Sequence, residues 1–176
     1  MSDSTPPAPR DDLWVWIDLE MTGLDPAVDT IIEIATLITD SELNLIAEGP
    51  EIAIHQPLAR LEAMDDWNRN THRASGLWQR VLDSGVDLAA AEAQTLEFLR
   101  RYVKPGSSPL CGNTVYQDRR FIGPYMPQLD GFLHYRLLDV STIKILAKRW
   151  APKIAEGMQK SAAHTALADI RESIEE

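Results

Sequence analysis

Apolar residues are concentrated in three stretches within the first third of the chain, and only short polar segments separate them. The stretches span residues 13–20, 30–39 and 44–55. The first runs from apolar residues into a polar tip, and the second is rich in Ile and Thr, which favour strands. Because a parallel crossover needs about a dozen residues or more, these connections predict antiparallel pairing. We therefore expect three strands arranged as an antiparallel meander.

The pattern beyond residue 55 is mostly helical. Short helices are predicted between residues 58 and 84, and a longer one over 87–103, where apolar residues recur at helical spacing. Another helix is expected to begin near residue 117, and Pro124 and Pro127 should shorten or kink it. This part of the chain therefore supplies helices that can cover a sheet.

Two helices near the end of the sequence carry an apolar face. Either Asp139 or Ser141 can cap the first of them. Its apolar residues occupy positions i, i+3, i+4 and i+7: Ile143, Leu146, Ala147 and Trp150. The second helix follows residue 164, and its apolar face consists of Leu167, Ile170 and Ile174. Stripes of this kind are typical of helices that pack on a core.

Two further short strands, over 110–113 and 134–138, complete the predicted sheet. The element order is then β-β-β, several helices, and β-α-β-α-α. This order predicts an α/β fold with a mixed five-stranded sheet flanked by α-helices, the first three strands forming an antiparallel meander. It resembles the ribonuclease H-like architecture, and a fold of this kind does not by itself define a function.

The ends of the chain differ in character from the middle. The first nine residues are polar and rich in Pro, without the basic start and apolar stretch of a signal peptide. We expect a disordered leader over 1–10, a single domain over 11–176 and a cytoplasmic location. The sequence stops at Glu176, within an amphipathic helix that no capping signal follows. This predicts either a trimmed end or a disordered tail.

The charge balance limits the kinds of ligand. The formal net charge is −10, from 17 Lys and Arg against 27 Asp and Glu. Long nucleic acid grooves use many basic residues to replace counterions, so this balance argues against them. A short nucleic acid held by metal ions and a few basic side chains remains compatible with it. Cys111 is the only cysteine and is expected to be a buried small residue.

Two acidic residues end the first predicted strand. Asp18 and Glu20 are two positions apart, so they project from the same face. Carboxylates held this close repel each other, and a divalent cation is a common way to neutralise them. A solvated strand end explains the same pattern about equally well.

Three more candidates follow along the chain. Asp118 is expected in the first turn of a helix, where the helix dipole favours an acid with or without a ligand. His164 and Asp169 are five residues apart, a step that turns a helix by roughly 140°. His164 is therefore expected where the helix begins and Asp169 inside it. Taken singly, Asp118 is better explained as a helix-start aspartate, His164 as a loop histidine and Asp169 as a partly exposed acid of a helix.

Taken together, these residues form a more specific set. Two-metal phosphodiester hydrolysis needs several carboxylates and a group that accepts a proton from water. A histidine titrates near neutral pH and suits that second role. The candidate set is Asp18, Glu20, Asp118, His164 and Asp169.

At these residues the sequence resembles the DEDDh exonucleases, and among them the oligoribonuclease family. The motifs are Asp18-x-Glu20, Asp118 and His164-x-x-x-x-Asp169. The resemblance covers essentially everything after the leader, and its longer stretches are more specific than the motifs. These stretches are residues 16–26, 64–68, 111–113, 117–121, 134–136, 138–142 and 169–173.

The resemblance implies a 3′→5′ exoribonuclease that trims short single-stranded RNA, of two to five nucleotides with dinucleotides favoured, to mononucleotides. The four carboxylates would hold two Mg²⁺ or Mn²⁺ ions, and His164 would be the general base. Leu24 would wedge against the terminal bases, and Trp67 and His72 would line the nucleotide pocket. From the residues alone, a Trp beneath a loop explains Trp67 about equally well.

The resemblance also implies a phosphate cap and a homodimer. Arg136, Ser141 and Thr142 would contact the 5′ phosphate, which would favour dinucleotides. Tyr135 would reach into the active site of a partner subunit, making the dimer obligate. Without the resemblance, a salt bridge to an acidic side chain is the simpler explanation for Arg136.

Three alternatives remain open. Another DEDDh exonuclease, acting on DNA or structured RNA ends, would use the same metal chemistry, although the acidic charge argues against long polymers. Residues 18–22 also resemble the Asp-x-Asp-x-Thr start of haloacid-dehalogenase-type phosphatases, but Glu20 stands at the second Asp and the next strands predict a meander. A nuclease-fold binding module would be free to lose a carboxylate or the histidine, and all five are present.

Overall fold

The sheet is built around two long neighbouring strands, β1 and β2. The computed structural model describes residues 8–155 and 165–176. Its strands are β1 Trp14–Met21, β2 Ile31–Thr39, β3 Leu45–Ala53, β4 Leu110–Gly112 and β5 Leu137–Asp139. β1 pairs antiparallel with β2, and β2 with β3, while β4 is parallel to both β1 and β5. The order β3-β2-β1-β4-β5 confirms the predicted mixed sheet with its meander.

The helices of the described residues lie between and after these strands. Four of them connect β3 to β4: α1 Leu58–Glu62, α2 Asp66–Ala74, α3 Leu77–Asp83 and α4 Leu88–Arg100. Two connect β4 to β5: α5 Tyr116–Tyr125 and α6 Pro127–Phe132. Three follow β5: α7 Val140–Trp150, α8 Pro152–Ala155 and α9 Ala166–Glu175. None of these helices is long and apolar enough to cross a membrane.

The two faces of β1 contact different parts of the core. One face packs into the larger cluster, which α4, α5 and α6 cover, through Val15, Ile17 and Leu19. On the other face, Trp16 joins a smaller cluster to which α9 contributes Ile170. Because side chains alternate along a strand, Asp18 and Glu20 lie on the α9 side.

The two apolar helix faces predicted near the end of the chain differ in burial. On α9, Ile170 is buried, and Leu167 and Ile174 pack against the smaller cluster, as predicted. On α7 three of the four residues of the predicted stripe are exposed, by 54%, 37% and 76%: Ile143, Leu146 and Trp150. This face of α7 therefore points outward from the described fold.

The fifth strand begins later than the sequence pattern predicts. Residues 134–138 were expected to be extended, but β5 spans Leu137–Asp139. The reason is local, because the backbone N–H of Arg136 donates to the His134 side chain at Nδ1 (3.1 Å) instead of to a strand. Such side-chain hydrogen bonds compete with sheet pairing. The segment therefore bends before the regular pairing with β4 begins, although the Arg136 carbonyl already accepts from the Leu110 N–H at 3.4 Å.

Several smaller expectations are met. The Asp139 carboxylate accepts from the Ser141 N–H and caps α7, and α5 ends two residues before Pro127. Cys111 is fully buried, and burial raises the pKa of its thiol. Near the start of the chain, Arg10 forms an isolated parallel β-bridge with Val103 and so pairs with the rest of the domain.

Candidate active site

Three carboxylates meet where β1 and α9 face each other. One oxygen from each of Asp18, Glu20 and Asp169 lies within 4.8 Å of the others. Strand alternation places the first two on one face, and α9 packs on that face through Ile170, the neighbour of Asp169. The structure thus brings together three of the four predicted metal ligands.

Asp118 approaches the same place from α5. It is buried, and its Oδ1 accepts a hydrogen bond of 3.0 Å from the backbone N–H of Leu19, the residue between Asp18 and Glu20. Its oxygens are not part of the three-carboxylate group, but its charge raises the pKa of Asp18. Asp118 is therefore a buried neighbour of the cluster, and its role as a fourth ligand stays a prediction.

Burial and mutual repulsion make it costly for the carboxyl groups of the cluster to ionise together. Burial, followed by the charges of Asp118, Glu20 and Asp169, raises the pKa of Asp18 well above its ordinary value. Burial, followed by the charges of Asp169 and Glu33, raises the pKa of Glu20 to about 8. Burial also raises the pKa of Asp118 to about 7. Hard oxygen donors in this state fit a divalent cation, which would neutralise the mutual repulsion.

A cavity of about 930 Å³ lies between the turn after β1 and the helices α1 and α2. This volume is within the range of ligand sites. Two large apolar side chains at its walls are mostly exposed, Leu24 by 72% and Trp67 by 66%. Both were predicted to contact the substrate, and the structure places them on one cavity.

The turn that carries Leu24 is braced from several sides. Gln117 donates through Nε2 to the Leu24 carbonyl at 2.7 Å, and the Tyr125 hydroxyl donates to the Asp29 carbonyl at 2.5 Å. The Asp29 carboxylate accepts from the Asp25 N–H and lies so close to Gly23 that a Cβ there would come within 2.4 Å of it. These contacts hold the backbone of the turn in place while the Leu24 side chain stays exposed. One of them comes from Gln117, the residue before Asp118.

His72 lies deeper than Trp67, although both belong to α2. It is buried, with Nε2 3.3 Å from the Met21 carbonyl and Nδ1 4.0 Å from Glu20 Oε2. Burial lowers the pKa of His72 and favours the neutral ring. The structure therefore places it behind the carboxylate cluster, and its predicted contact with a nucleotide stays a prediction.

The predicted phosphate-cap residues lie around the ends of β4 and β5. Tyr135 is 75% exposed, its ring 4.3 Å from that of His134, and the Arg136 guanidinium lies 5.5 Å from the Tyr135 ring. Thr142 is exposed on α7. Ser141 is half-buried, and its hydroxyl donates to Asn113 Oδ1 at 3.0 Å.

A chain of hydrogen bonds connects Ser141 to the backbone of Asp169, one of the three clustered acids. Asn113, which accepts from the Ser141 hydroxyl, donates through Nδ2 to Ser173 Oγ at 2.9 Å. Ser173 in turn donates to the backbone carbonyl of Asp169 at 2.8 Å. The predicted general base, His164, lies outside the described residues.

Sequence reasoning missed one buried acid at this site. Glu33 lies opposite Glu20 in the β1–β2 pairing and is completely buried. A signal for it exists in the sequence, since Glu33 is the only charged residue of β2. Burying a charged side chain in a strand is costly unless it is paired or hydrogen-bonded, so Glu33 could have been singled out.

Comparison with known proteins agrees with this geometry. The family model described as "Exonuclease" (RNase_T) matches residues 15–176. A protein named oligoribonuclease from Xanthomonas euvesicatoria pv. vesicatoria is 63% identical over 165 residues, which is 94% of this chain and 85% of that protein. One from Marinobacter nauticus is 61% identical over 165 residues, 94% of this chain and 92% of its own length. The chain belongs to the oligoribonuclease family. As a member of it, the chain is a nuclease of the hydrolase class and a 3′→5′ exonuclease.

Solved structures of exonuclease I share the fold of this oligoribonuclease family member. A product-bound exonuclease I has a TM-score of 0.68 at 17% identity, over 94% of this chain and 42% of the other. A zinc-bound complex of E. coli exonuclease I with single-stranded DNA has a TM-score of 0.67 at 18% identity, over 94% and 39%. This chain spans about two fifths of those chains, and the likeness shows the fold alone.

Proposed function

We propose that this protein hydrolyses short single-stranded RNA from the 3′ end, with dinucleotides as the favoured substrate and mononucleotides as the product. The observation that carries the proposal is the three-carboxylate cluster of Asp18, Glu20 and Asp169. The relatives named oligoribonuclease support RNA as the substrate class. The net charge of −10 supports a short substrate, because little basic surface is available to hold a long one.

Asp18, Glu20, Asp118 and Asp169 would hold two divalent cations, Mg²⁺ or Mn²⁺. Their carboxylate oxygens are the donors that these ions prefer, and the raised pKa values of Asp18, Glu20 and Asp118 indicate that their ionisation is costly without a cation to neutralise the charge. When bound, such ions stabilise the charges that develop on the attacking and leaving oxygens of a phosphodiester.

The remaining roles belong to side chains of this chain. His164 would accept the proton of the attacking water at an imidazole nitrogen. Trp67 would stack on a base, an interaction worth about 1–3 kcal/mol for a base on an aromatic side chain. Leu24 would wedge between the two terminal bases, held in place by the braced turn. His72 would support this pocket from behind.

The proposal is tested with 5′-labelled RNAs of two to seven nucleotides, incubated with Mn²⁺ or with EDTA, beside DNA of the same lengths. Rapid conversion of the RNA dinucleotide to mononucleotide that stops in EDTA is the expected result. Cleavage of long RNA or DNA that leaves dinucleotides behind would identify a general exonuclease instead. No cleavage with any divalent metal would refute a nuclease function.

Arg136→Ala should slow dinucleotide hydrolysis more than hydrolysis of a heptanucleotide. Arg136, Ser141 and Thr142 are proposed to bind the 5′ phosphate, and only a dinucleotide places its 5′ phosphate there while its 3′ bond is at the carboxylates. Removing a charge-assisted phosphate contact costs about 1.5–3 kcal/mol, or about 10–100-fold in kcat/KM. Arg100→Ala, at an exposed helix position, is the control. An equal loss of kcat/KM on RNAs of every length would show that Arg136 does not determine the preference for dinucleotides.

A homodimer completes the proposal. Tyr135 is exposed near the end of the fold at which β5 forms the sheet edge, where it would be free to reach a partner subunit. The outward face of α7 and α8 carries large apolar residues whose exposure is 37–76%: Ile143, Leu146, Trp150 and Ile154. Contiguous apolar surface of this kind is typical of protein interfaces.

Trp150→Glu is therefore expected to convert the dimer to a monomer, because a charge buried in an apolar interface is costly. Analytical ultracentrifugation across a concentration series measures the change in mass. Lys148→Glu adds the same carboxylate to α7 away from the apolar stripe and should leave the mass unchanged. A wild-type protein that sediments as a monomer at every concentration would contradict the dimer.

A further inference from the structure

Glu33 is a buried carboxylate to which the proposed function gives no role. It lies in the middle of the sheet, with none of its surface exposed, on the same face as its strand partner Glu20. The charge of Glu33 contributes to raising the pKa of both Asp18 and Glu20. A carboxylate that adds to the repulsion at a crowded acidic site needs an explanation beyond filling space.

The contacts of Glu33 connect three elements of the fold. Its Oε2 accepts a hydrogen bond of 3.3 Å from the backbone N–H of Ala166, the first residue of α9. Its Oε1 forms a close ion pair, at 2.5 Å, with Nη1 of Arg80 on α3. The carboxylate of Glu33 on β2 therefore contacts both the start of α9 and the basic side chain of Arg80 on α3.

The first N–H groups of a helix have no partner within the helix, and a carboxylate is a favourable acceptor for them. Ala166 lies three residues before Asp169, so the bond to Glu33 is made in the turn that carries this ligand. Asp169 is further tied to that turn, because its own N–H donates to the Thr165 carbonyl at 3.0 Å. The position of Asp169 over β1 therefore depends on where the start of α9 is held.

We propose that Glu33 is a positioning residue. Held by Arg80, it fixes the start of α9 on the sheet and so sets Asp169 at the right distance from Asp18 and Glu20 to share a divalent cation. The inference rests on the proposed role of these three carboxylates as metal ligands. It assigns to Glu33 no contact with metal or substrate.

Two substitutions of Glu33 separate its geometry from its charge. Glu33→Gln keeps the length but loses the charge and one of the two oxygen acceptors, so its amide NH2 would face either Arg80 or the Ala166 N–H. Glu33→Asp keeps the charge but is one methylene shorter, which takes its oxygen out of hydrogen-bond range of the Ala166 N–H. Positioning predicts that both variants weaken metal binding, because each loses a contact of Glu33, whereas a purely electrostatic role predicts that only Glu33→Gln does.

A third variant removes the donor and leaves Glu33 intact. Ala166→Pro lacks the N–H at the first helical position, a position compatible with proline, and places Cδ where the hydrogen pointed at Glu33 Oε2, so the hydrogen bond is replaced by a repulsive contact. The preceding residue, Thr165, already has φ −128° and ψ 143°, the extended conformation that a following proline requires. This variant therefore stays informative even if Glu33→Asp fails to fold. Glu48→Asp is the matched control, since Glu48 pairs with Arg171 and so connects the same helix to the sheet at its surface.

The measurement is Mn²⁺ binding to the full chain by titration calorimetry, without RNA, with thermal unfolding in EDTA recorded in parallel. Residues that orient metal ligands typically change metal affinity by about 10–100-fold. Glu33→Asp, Glu33→Gln and Ala166→Pro should therefore weaken Mn²⁺ binding by about 10-fold or more. Glu48→Asp should stay within about threefold of the wild type on that same scale.

If Ala166→Pro or Glu33→Asp binds Mn²⁺ like the wild type, Glu33 does not act by positioning α9. A wild type that binds no Mn²⁺ would remove both the metal site and its positioning. A wild type that binds Mn²⁺ but does not cleave short RNA would refute the proposed substrate while leaving the role of Glu33 in place.

Discussion

Asp18→Asn is expected to lower the rate of hydrolysis by about 10³-fold or more, because metal-held charge stabilisation is worth several kcal/mol and each 1.4 kcal/mol is a factor of ten. The same substitution should make the metal-free protein more stable near pH 8. Asp18 lies at the centre of the cluster, where burial and then Asp118, Glu20 and Asp169 all disfavour its charge. An active-site residue that costs stability and supplies activity should show these opposite effects.

The sign of the stability effect follows from the raised pKa values. A carboxyl whose folded-state pKa lies above its unfolded value stabilises the fold below the unfolded pKa, and this contribution is lost as pH rises through the folded pKa. For Glu20 the window runs from 4.5 to about 8. Each pKa unit corresponds to about 1.4 kcal/mol, and each kcal/mol to about 2–4 °C in a chain of this size. The metal-free wild type should therefore melt several degrees lower at pH 8 than at pH 5.

Thermal unfolding in EDTA from pH 5 to pH 8.5 measures this difference. Addition of Mn²⁺ in place of EDTA should restore the melting temperature of the wild type at pH 8. The decline in melting temperature should be smaller in Asp18→Asn. Glu42→Gln removes a carboxylate from an exposed turn and should follow the wild type in both stability and activity. If the melting temperatures of Asp18→Asn and the wild type fall equally with pH, repulsion among the clustered carboxylates does not destabilise the metal-free protein.

His164→Ala is expected to slow the chemical step by about 10²–10⁴-fold, the usual contribution of a general base, while Mn²⁺ binding stays nearly unchanged. The proposal derives from the resemblance of His164-x-x-x-x-Asp169 to the motif of the DEDDh exonucleases, since His164 lies outside the described part of the chain. A base that touches only the attacking water should alter kcat and leave metal affinity alone. This separates it from the carboxylates, whose loss should change both.

Single-turnover kinetics at saturating Mn²⁺, with calorimetric titration of Mn²⁺ on the same preparation, tests this separation. His55→Ala is a suitable control, because His55 is exposed and follows β3. Full activity in His164→Ala would require another proton acceptor. A large loss of Mn²⁺ affinity would instead make His164 a ligand or a structural residue.

The architecture and the two carboxylates of β1 were predictable because both depend on local rules. Strand alternation alone places Asp18 and Glu20 on one face, and short connections alone favour a meander. Asp169 required the family resemblance, because the apolar face of its helix predicts packing on a core but does not indicate which strand it meets. Its packing depends on Ile170 against Trp16, a contact between residues far apart in sequence.

The features that escaped prediction depend on long-range or competing contacts. The β5 boundary moved because a His134 side chain captured a backbone N–H that a strand would have used. The exposed face of α7 has the same periodicity as the buried face of α9, and periodicity carries no information about what covers it. The partners of Glu33 could not be predicted, because Arg80 and Ala166 lie 47 and 133 residues away and no local pattern connects them to β2.

The alternation of β1 has a consequence for how such a protein can change over evolutionary time. Substitutions at single positions of β1 alter one side chain, but insertion of one residue ahead of Asp18 would exchange the two faces of the strand beyond it. Asp18 and Glu20 would then point into the larger apolar core, and Leu19 would take their place opposite α9. Length variation is therefore expected in the polar turn between β2 and β3, while the number of residues in β1 stays constant across active descendants.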